Sequence, residues 1–519
     1  MRDNTLRMNG AESLVKTLLA SGVDTCFANP GTSEMHFVAA LDRIPGMRCV
    51  LGLFEGVVTG AADGYARLAE KPAATLLHCG PGLANGLANL HNARRAQTPM
   101  VNIVGDQATH HRPYDAPLTA DTEGWARPVS VWTRTATSAG SVGSAAAVAV
   151  QAARSAPGGV ATLILPSDVC WDSGGVVAVP LPPIPAPKVA PDILQRAARI
   201  LRSGQPTLLL LAGKALGQEA LAAAHRIVNT TGACLLSTVS NPRVARGRGR
   251  FAVERLPYSG DAARAKLAGI AHVILVGTPA PATFFAYPGK APRPYPEDAT
   301  VHVLARPEED LVDALGRLAE ELGGPLPMPM ERAQEASVAK GTITPQTLGQ
   351  SLAALLPEQA IVVDESITFG PALYAGTLHA AAHDWLQVGG GAIGDGLPLS
   401  LGAAVAAPER RVVTLQADGS GMYTLQALWS MARERLDVTV VVLANRKYAI
   451  LQHELDNVGA SAGMTAMGML DIGNPNLDWV RIANGMGVEA ARTSSMEGFN
   501  DLFARANRNS GPFLIELVI

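Results

Sequence analysis

The sequence contains little cysteine, and its cysteines are not spaced as in disulfide frameworks or zinc sites. Only five occur among 519 residues, and no two form a CxxC pair. Neither a disulfide-stapled scaffold nor a cysteine-rich zinc site is therefore expected, and a reducing compartment fits. The five are Cys26, Cys49, Cys79, Cys170 and Cys234.

Long apolar runs and an excess of charge are also missing. The first residues, MRDNTLRMNG, contain no apolar signal-peptide core, and no uninterrupted run of about 18 apolar residues follows. Charged residues make up 17% of the chain, with a net charge of -3, so no basic field attracts nucleic acid. We therefore expect a cytoplasmic protein that binds a small molecule, not nucleic acid or a membrane.

Glycine and proline, by contrast, are plentiful, and proline divides the chain. Two proline-rich stretches, 176–191 and 323–346, separate segments in which short Val/Ile/Leu-rich strands alternate with Ala-rich helices. A chain of this length exceeds one hydrophobic core. The pattern predicts an α/β protein with three mainly parallel sheets flanked by helices. The predicted domains are 1–175, 190–325 and 345–519.

Residues 411–450, RVVTLQADGSGMYTLQALWSMARERLDVTVVVLANRKYAI, carry the strongest chemical pattern. They predict a strand over 411–417, a turn over 418–421, a helix to about Arg435 and a strand ending at Asn445. Because neighbouring parallel strands end on the same side of a sheet, Asp418 and Asn445 should meet there. Their oxygens suit Mg²⁺ bound to a diphosphate, for which the glycines in the turn leave room. An ordinary βαβ unit with a capping aspartate is the alternative.

The same segment resembles the thiamine diphosphate motif, GDG followed about two dozen residues later by NN. Ala417 replaces the first glycine and Ala444 replaces the first asparagine, whereas the presumed ligands Asp418 and Asn445 are intact. The resemblance implies thiamine diphosphate and Mg²⁺ as cofactors. It also implies the backbone carbonyl of Lys447 as a third metal ligand.

A second motif lies near the N-terminus, where Glu55 interrupts the apolar stretch VLGLFEGV and ADGYAR follows at 62–67. Taken alone, Glu55 could simply favour the start of a helix, because acidic residues stabilise the first turn. The resemblance instead implies the glutamate that contacts the aminopyrimidine of the cofactor. An apolar setting suits that task because desolvation favours a shared proton over a bare carboxylate.

The resemblance covers essentially the whole chain and is strongest to the benzoylformate decarboxylase and acetolactate synthase branch of thiamine diphosphate enzymes. It implies a pyrimidine-binding, a central and a diphosphate-binding domain, with active sites between subunits of a homodimer or homotetramer. Gly391 would offer its carbonyl to the pyrimidine, and Ile393 would force the bent cofactor shape. The remaining expected cofactor-binding residues are Asn29, Pro30, Gly31, Glu365, Ser366, Ile367, Asp418, Gly419, Ser420, Tyr423, Asn445, Tyr448, Ala449 and Ile450.

The implied reaction is decarboxylation of a 2-oxo acid, followed by aldehyde release or by carboligation to a 2-hydroxy ketone. His78 matches an active-site histidine of benzoylformate decarboxylase, and Thr32 in NPGTSE matches a hydroxyl that holds the substrate carboxylate. A second histidine of that enzyme has no counterpart, because the central domain carries Phe284 and Phe285 there. Together with His453 and Glu454, these phenylalanines are the expected substrate-pocket residues.

Three alternatives remain open at this point. An acetolactate synthase-like enzyme would condense two 2-oxo acids, although the sequence has no convincing FAD-binding signature, so FAD is not expected. A non-catalytic homologue could bind the cofactor, but pure binding does not need Glu55. A nicotinamide dehydrogenase would use GPGLANG at 80–86, whose glycine spacing departs from GxGxxG.

Overall fold

The chain folds around three sheets of mainly parallel strands, as predicted. The structure is a computed structural model that describes residues 8–329 and 337–519. The three sheets contain six, five and seven strands, and helices flank them. Central strands are buried along their whole length because helices cover both faces, which explains their near-continuous Val/Ile/Leu composition.

The N-terminal sheet has the strand order β2-β1-β3-β4-β6-β5, and all its pairs are parallel. Its strands are β1 (Thr25–Asn29), β2 (Arg48–Leu51), β3 (Ala73–Leu77), β4 (Met100–Asp106), β5 (Trp132–Thr135) and β6 (Val160–Pro166). The helices are α1 (Gly10–Ala20), α2 (Met35–Arg43), α3 (Glu55–Ala69), α4 (Cys79–Arg95), α5 (Thr122–Ala126), α6 (Ala139–Arg154) and α7 (Ser167–Trp171).

The central part of the chain forms a smaller parallel sheet with the order β10-β8-β7-β11-β12. Its segment contains the strands β7 (Thr207–Leu211), β8 (Cys234–Ser237), β9 (Arg243–Arg246), β10 (Glu254–Arg255), β11 (His272–Val276) and β12 (Thr300–Ala305). Its helices are α8 (Pro191–Leu201), α9 (Gln218–Thr231), α10 (Gly260–Lys266) and α11 (Leu311–Leu322). The Val/Ile/Leu-rich runs TLLLL and HVILV form β7 and β11.

The C-terminal sheet has the order β17-β18-β16-β15-β13-β14-β9. Its own strands are β13 (Ile361–Glu365), β14 (His383–Gln387), β15 (Val412–Ala417), β16 (Val438–Ala444), β17 (Glu489–Thr493) and β18 (Phe513–Val518). The helices are α12 (Pro345–Leu355), α13 (Gly370–Gly376), α14 (Gly396–Ala406), α15 (Asp418–Gly421), α16 (Ala427–Arg433), α17 (Ala449–Asn457), α18 (Met464–Gly468), α19 (Trp479–Gly485) and α20 (Met496–Arg508). The edge strand β9 comes from the central part of the chain and pairs antiparallel with β14, which the sequence did not indicate.

The N-terminal and C-terminal sheets are joined through a close crossing of α3 and α14. A Cβ atom added at Gly402 would collide with the Ala61 carbonyl, and one added at Gly64 would collide with the Leu399 carbonyl. Arg67 at the end of α3 adds a polar link, donating through Nη1 to the Gln387 carbonyl at 2.6 Å. The crossing therefore fixes the helix that begins with Glu55 against the C-terminal domain of the same chain.

The segment 411–450 differs from its prediction in one respect. Strands β15 and β16 lie where they were expected, but the turn after β15 is the single helical turn α15, and the next helix begins only at Ala427. A long helix therefore does not point its N-terminus at Asp418. Among the described residues, every helix is too short or too polar to cross a membrane.

Candidate active site

Asp418 and Asn445 meet at the carboxyl edge of the C-terminal sheet. Strands β15 and β16 are parallel neighbours with Ala417 paired to Leu443, so the residues that follow them lie side by side. The buried Asp418 carboxylate accepts hydrogen bonds from the Gly419 amide at 2.9 Å and from the Arg446 amide at 2.6 Å. Burial raises the pKa of the Asp418 carboxyl above its ordinary value. A bound cation would offset that cost.

The loop after β16 is held in place from both sides. The Asn445 side-chain oxygen accepts from the Lys447 amide at 3.1 Å, and Lys447 forms an antiparallel bridge with Asp471. Arg446 between them has a φ of 59°, a conformation that costs energy for a residue with a side chain. The expected metal ligands Asn445 and Lys447 thus lie on one short, constrained loop, and the Arg446 amide between them binds the third, Asp418. Their all-oxygen donor set fits Mg²⁺.

Glycine at 419 is required by space and not by backbone conformation. A Cβ atom there would collide with the Tyr448 ring. Next to it, the Ser420 hydroxyl accepts from the Gln416 side chain at 2.6 Å. The missing side chain at position 419 therefore lets the Tyr448 ring pack directly against the backbone beside Asp418. Helix α17 begins with Ala449 and Ile450, directly after Tyr448.

The loop 389–396 lies beside this edge and is supported by Glu365. The fully buried Glu365 carboxylate accepts from the Gly394 amide at 2.6 Å and from the Gly396 amide. Burial raises the pKa of Glu365. Tyr423 packs against Gly394, where a Cβ atom would lie 2.5 Å from the Tyr423 Cβ. Glu365 thus shapes the loop from beneath, and its expected contact with the cofactor stays a prediction.

The neighbours of Glu365 are placed differently from one another. Ser366 is buried and donates through its hydroxyl to Asp364 at 2.6 Å, which stabilises its own segment. Ile367 is half-buried and has a φ of 53°. The lining role expected of Ser366 and Ile367 stays a prediction.

Gly391 and Ile393, the expected pyrimidine supports, lie on the outer part of the same loop. Gly391 has a φ of 81°, and the Phe284 ring lies 2.8 Å from where its Cβ would be. Ile393 is half-buried. Asn92 near the end of α4 donates to the Ala392 carbonyl at 2.8 Å and accepts from its amide at 3.1 Å. The loop is therefore fixed by the N-terminal domain of its own chain.

The N-terminal domain contributes a second cluster at the carboxyl edge of its sheet. Asn29 ends β1, and Pro30, Gly31 and Thr32 follow it. A Cβ atom at Gly31 would collide with the His78 ring, which lies just after β3. His78 Nδ1 is 2.9 Å from Glu34 Oε2, an oxygen that also accepts from the Gly31 amide at 2.7 Å. Thr32 is exposed, so its hydroxyl is free to face a ligand.

Two residues of this cluster, Ser33 and Glu34, were missed by sequence reasoning. The Ser33 hydroxyl lies 3.1 Å from His78 Nδ1 and 3.2 Å from Cys79 Sγ. Glu34 is only 2% exposed. The sequence contained one signal that could have found Glu34. It is the acidic residue of NPGTSE, a motif that begins at the end of a buried strand, where an unpaired carboxylate would be costly.

Glu55 is the first residue of α3 and is 8% exposed. Its Oε2 accepts from Asn85 Nδ2 at 3.0 Å, and a Cβ atom at Gly82 would lie 3.2 Å from its Oε1. Asn85, another residue that sequence reasoning missed, therefore orients this carboxylate. Asn85 and Asn92 are separated by about 10 Å along α4. Glu55 and the loop 389–396 of the same chain consequently contact different parts of that helix.

The expected substrate-pocket residues lie together on the central-domain side. Phe284 and Phe285 pack edge-to-face with their ring centres 5.1 Å apart. His453 and Glu454 lie on α17, and the Tyr287 hydroxyl donates to Glu454 at 2.8 Å. A cavity of about 190 Å³ is lined by Ile450, His453 and Glu454 together with central-domain residues.

Three mainly parallel sheets, with Asp418 and Asn445 at the carboxyl edge of one of them, are typical of a cofactor-binding α/β enzyme. Comparison with known proteins identifies the class. The family described as "Thiamine pyrophosphate enzyme, N-terminal TPP binding domain" matches residues 8–125. The one described as "Thiamine pyrophosphate enzyme, C-terminal TPP binding domain" matches residues 375–517. The chain belongs to the thiamine pyrophosphate enzyme family, which confirms the resemblance drawn from its sequence.

Individual relatives span nearly the whole chain. "Putative acetolactate synthase large subunit IlvX" of Mycobacterium tuberculosis is 51% identical over 99% of both chains. Benzoylformate decarboxylase of Pseudomonas aeruginosa is 29% identical over 96% of both. A solved Rhodococcus jostii RHA1 thiamine diphosphate-dependent 4-hydroxybenzoylformate decarboxylase superposes with a TM-score of 0.84 at 25% identity, covering 98% of this chain and 99% of that one.

Proposed function

We propose that the protein decarboxylates a 2-oxo acid with thiamine diphosphate and Mg²⁺, in active sites formed between two copies of the chain. The observation that carries the proposal is the pairing of two features. Asp418 and Asn445 lie together at one sheet edge, and a buried Glu55 lies at another. The decarboxylases among the relatives support this choice.

The residues present fit the cofactor. Asp418, Asn445 and the Lys447 carbonyl would hold Mg²⁺, and the Gly419 backbone beside them would face the diphosphate. Gly391 and Ile393 would support the pyrimidine. When bound, the cofactor supplies a carbon nucleophile and an electron sink for the decarboxylation.

The protein's own part is to position groups and to move protons. Glu55 would exchange a proton with the pyrimidine nitrogen, and Asn85 holds its carboxylate in an almost water-free setting. His78 Nδ1 lies 2.9 Å from Glu34 Oε2, and a proton on Nδ1 would hold the ring there, so that Nε2 would be the atom that takes up a proton and passes it to the reacting group. Thr32 would hold the substrate carboxylate.

The two-copy arrangement is supported by the separation of the parts within one chain. Glu55 is held by Asn85, whereas the loop carrying Gly391 is held by Asn92, about 10 Å further along α4. A second copy that brings its Glu55 to this loop would complete each site. The expected assembly is a homodimer or a homotetramer built from two dimers.

The proposed location is the cytoplasm. All five cysteines are unpaired in the structure, which suits a reducing compartment.

Carboligation is a second candidate outcome. Phe284 and Phe285 stand where the resemblance to benzoylformate decarboxylase implies a second histidine, and neither can donate a proton. Slower protonation would leave more time for attack on a second carbonyl, as in an acetolactate synthase, the description carried by the relative at 51% identity. Purified enzyme given a 2-oxo acid and an acceptor aldehyde would separate the two. Aldehyde as the sole product would exclude carboligation under those conditions.

The Glu55→Gln variant tests the proposed chemistry. We expect cofactor binding, measured by calorimetry with Mg²⁺ and thiamine diphosphate, to stay within about threefold, because metal and diphosphate contacts are untouched. Carbon dioxide release from a panel of aliphatic, aromatic and acidic 2-oxo acids should fall at least ~100-fold, because the proton exchange is lost. Wild-type activity in the variant would overturn the mechanism.

A further inference from the structure

Cys26 and Cys49 lie side by side on neighbouring strands of the N-terminal sheet. Strands β1 and β2 are parallel, and Cys26 is the register partner of Cys49. Both side chains therefore point to the same face of the sheet. Neighbouring strands are about 4.8 Å apart, within the range of about 4.4–6.8 Å that separates the Cα atoms of disulfide-bonded cysteines. The backbone thus already holds these two residues where a disulfide can form.

The position of β2 leaves the pair room to adjust. A disulfide needs its two Cβ atoms about 3.5–4.5 Å apart, slightly less than the spacing between strands. β2 is the edge strand of the sheet, with β1 beside it. An edge strand can shift by a few tenths of an ångström towards its neighbour without disturbing another strand. The two sulfur atoms can therefore approach to bonding distance within the native fold.

The two thiols differ in their access to solvent. Cys49 is exposed, whereas Cys26 is fully buried. The hydrogen bond with Cys26 lowers the pKa of the Cys49 thiol below its ordinary value. The hydrogen bond with Cys49, and after it burial, raises the pKa of Cys26. Because the thiolate is the nucleophilic form of cysteine, Cys49 is the sulfur that reacts first with an oxidant from solution, and Cys26 waits beside it with its proton.

The surroundings of the other three cysteines disfavour oxidation. Burial raises the pKa of Cys79 to about 11 and the pKa of Cys170 to about 12. Burial also raises the pKa of Cys234, whose register partner on β7 is Leu208. Oxidation of the native protein should therefore begin at Cys49.

We propose that Cys26 and Cys49 form a reversible disulfide when the protein meets hydrogen peroxide. The Cys49 thiolate attacks one peroxide oxygen and the O–O bond breaks. The departing hydroxide takes up the proton that Cys49 has released, and Cys49 becomes a sulfenic acid. The Cys26 sulfur then attacks the Cys49 sulfur, the S–O bond breaks, and the second hydroxide leaves with the Cys26 proton. Two thiols and one hydrogen peroxide thus give one disulfide and two water molecules.

The disulfide lies on the strands that lead to the proposed active site. β1 ends at Asn29, and β2 ends at Leu51, shortly before Glu55. Without a thiol beside it, a sulfenic acid is oxidised further to sulfinic acid, a change that ordinary thiols do not reverse. A disulfide at the exposed Cys49 can instead be attacked by a reducing thiol. Cys26 therefore protects this part of the sheet from irreversible oxidation.

The test treats the full-length protein with a small molar excess of hydrogen peroxide and follows the mass of the intact chain. We expect wild type to lose two hydrogen atoms per chain, to yield linked Cys26 and Cys49 peptides on non-reducing digestion, and to regain its mass with dithiothreitol. Cys49→Ser should lose no hydrogen. Cys26→Ala should retain a sulfenic acid at Cys49 that dimedone traps. Cys234→Ser is the matched control at a half-buried strand position and should behave as wild type.

Three results would overturn this proposal: no loss of hydrogen in wild type, a loss that persists in Cys49→Ser, or a disulfide that joins any other two cysteines. The mass of the chain does not depend on turnover. A protein that forms the disulfide but releases no carbon dioxide from any 2-oxo acid would therefore overturn the proposed function alone.

Discussion

Buried carboxylates mark both halves of the proposed active site, and each has a distinct partner. Asp418 accepts from the Arg446 amide, Glu365 from the Gly394 amide and Glu34 from the Gly31 amide. These three therefore hold local backbone in place in addition to any contact with a ligand. Glu55 accepts instead from the Asn85 side chain, which suits a carboxylate that must exchange a proton.

Asp395 is a buried carboxyl for which the proposed mechanism has no use. Both of its oxygens lack a hydrogen-bond partner among the described residues. Burial, and after it the nearby Asp63 carboxylate, raises the pKa of Asp395 well above its ordinary value. The folded protein therefore keeps a proton that the unfolded chain loses above about pH 4. The contribution of Asp395 to the free energy of unfolding is therefore fully present below about pH 4, and it falls as the pH rises towards the pKa of the folded state.

Replacing Asp395 with asparagine should remove this penalty. We expect the Tm of the Asp395→Asn variant to exceed that of wild type by a few degrees at pH 8 and by much less at pH 5. The exposed Asp501→Asn change is the control, since its carboxylate stays in water. A difference for Asp395→Asn that is the same at both pH values would contradict this assignment.

Among the structural elements, the α3–α14 crossing depends most on small residues. Gly402→Ala should lower the free energy of unfolding by about 2 kcal/mol or more, because the added methyl group meets the Ala61 carbonyl. Gly316→Ala in α11 is the matched control. Its Cβ would have no neighbour within 4 Å, so about 0.5–1 kcal/mol of stabilisation is expected. Urea denaturation measures both, and a Gly402→Ala variant as stable as wild type would contradict the packing argument.

Elements with a strong local pattern could be predicted from the sequence. β15 and β16 are apolar runs, as expected for strands that are buried on both faces of a sheet. Because parallel crossovers are right-handed, the two strands were expected to end at the same edge of the sheet. The turn α15 was not predicted as helix because glycine is a poor helix former. Strand β9, RVAR, lacks the apolar run of a core strand and pairs with a strand far away in the chain.

The candidate site also contains residues that a local motif predicts and residues that only long-range contacts reveal. Asp418, Asn445 and Glu55 were found because each lies in a recognisable motif. Ser33 and Asn85 were missed because their importance comes from contacts with His78 and Glu55, which are 45 and 30 positions away. Short-range patterns contain no information on such pairs. The position of Glu365 beneath the loop 389–396 likewise depends on tertiary packing.

At the level of the assembled protein, one chain contains both halves of the proposed active site but keeps them apart. The α3–α14 crossing and the Arg67 link hold Glu55 in a fixed position relative to the C-terminal domain of its own chain. Asn85 binds Glu55 and Asn92 binds the loop 389–396, and these two asparagines lie at different positions along α4. In the proposed site, a second copy must therefore bring its Glu55 to the cofactor that Asp418 would hold.

A hybrid assembly tests this most directly. Glu55→Gln and Asp418→Ala chains carrying different affinity tags would be co-expressed, and the mixed dimer would be purified through both tags. Each variant alone should be nearly inactive, whereas the mixed dimer should regain about half of the wild-type carbon dioxide release, since one of its two sites is intact. A mixed dimer as inactive as its parents would show that each chain must supply both residues to one site, and would contradict the account.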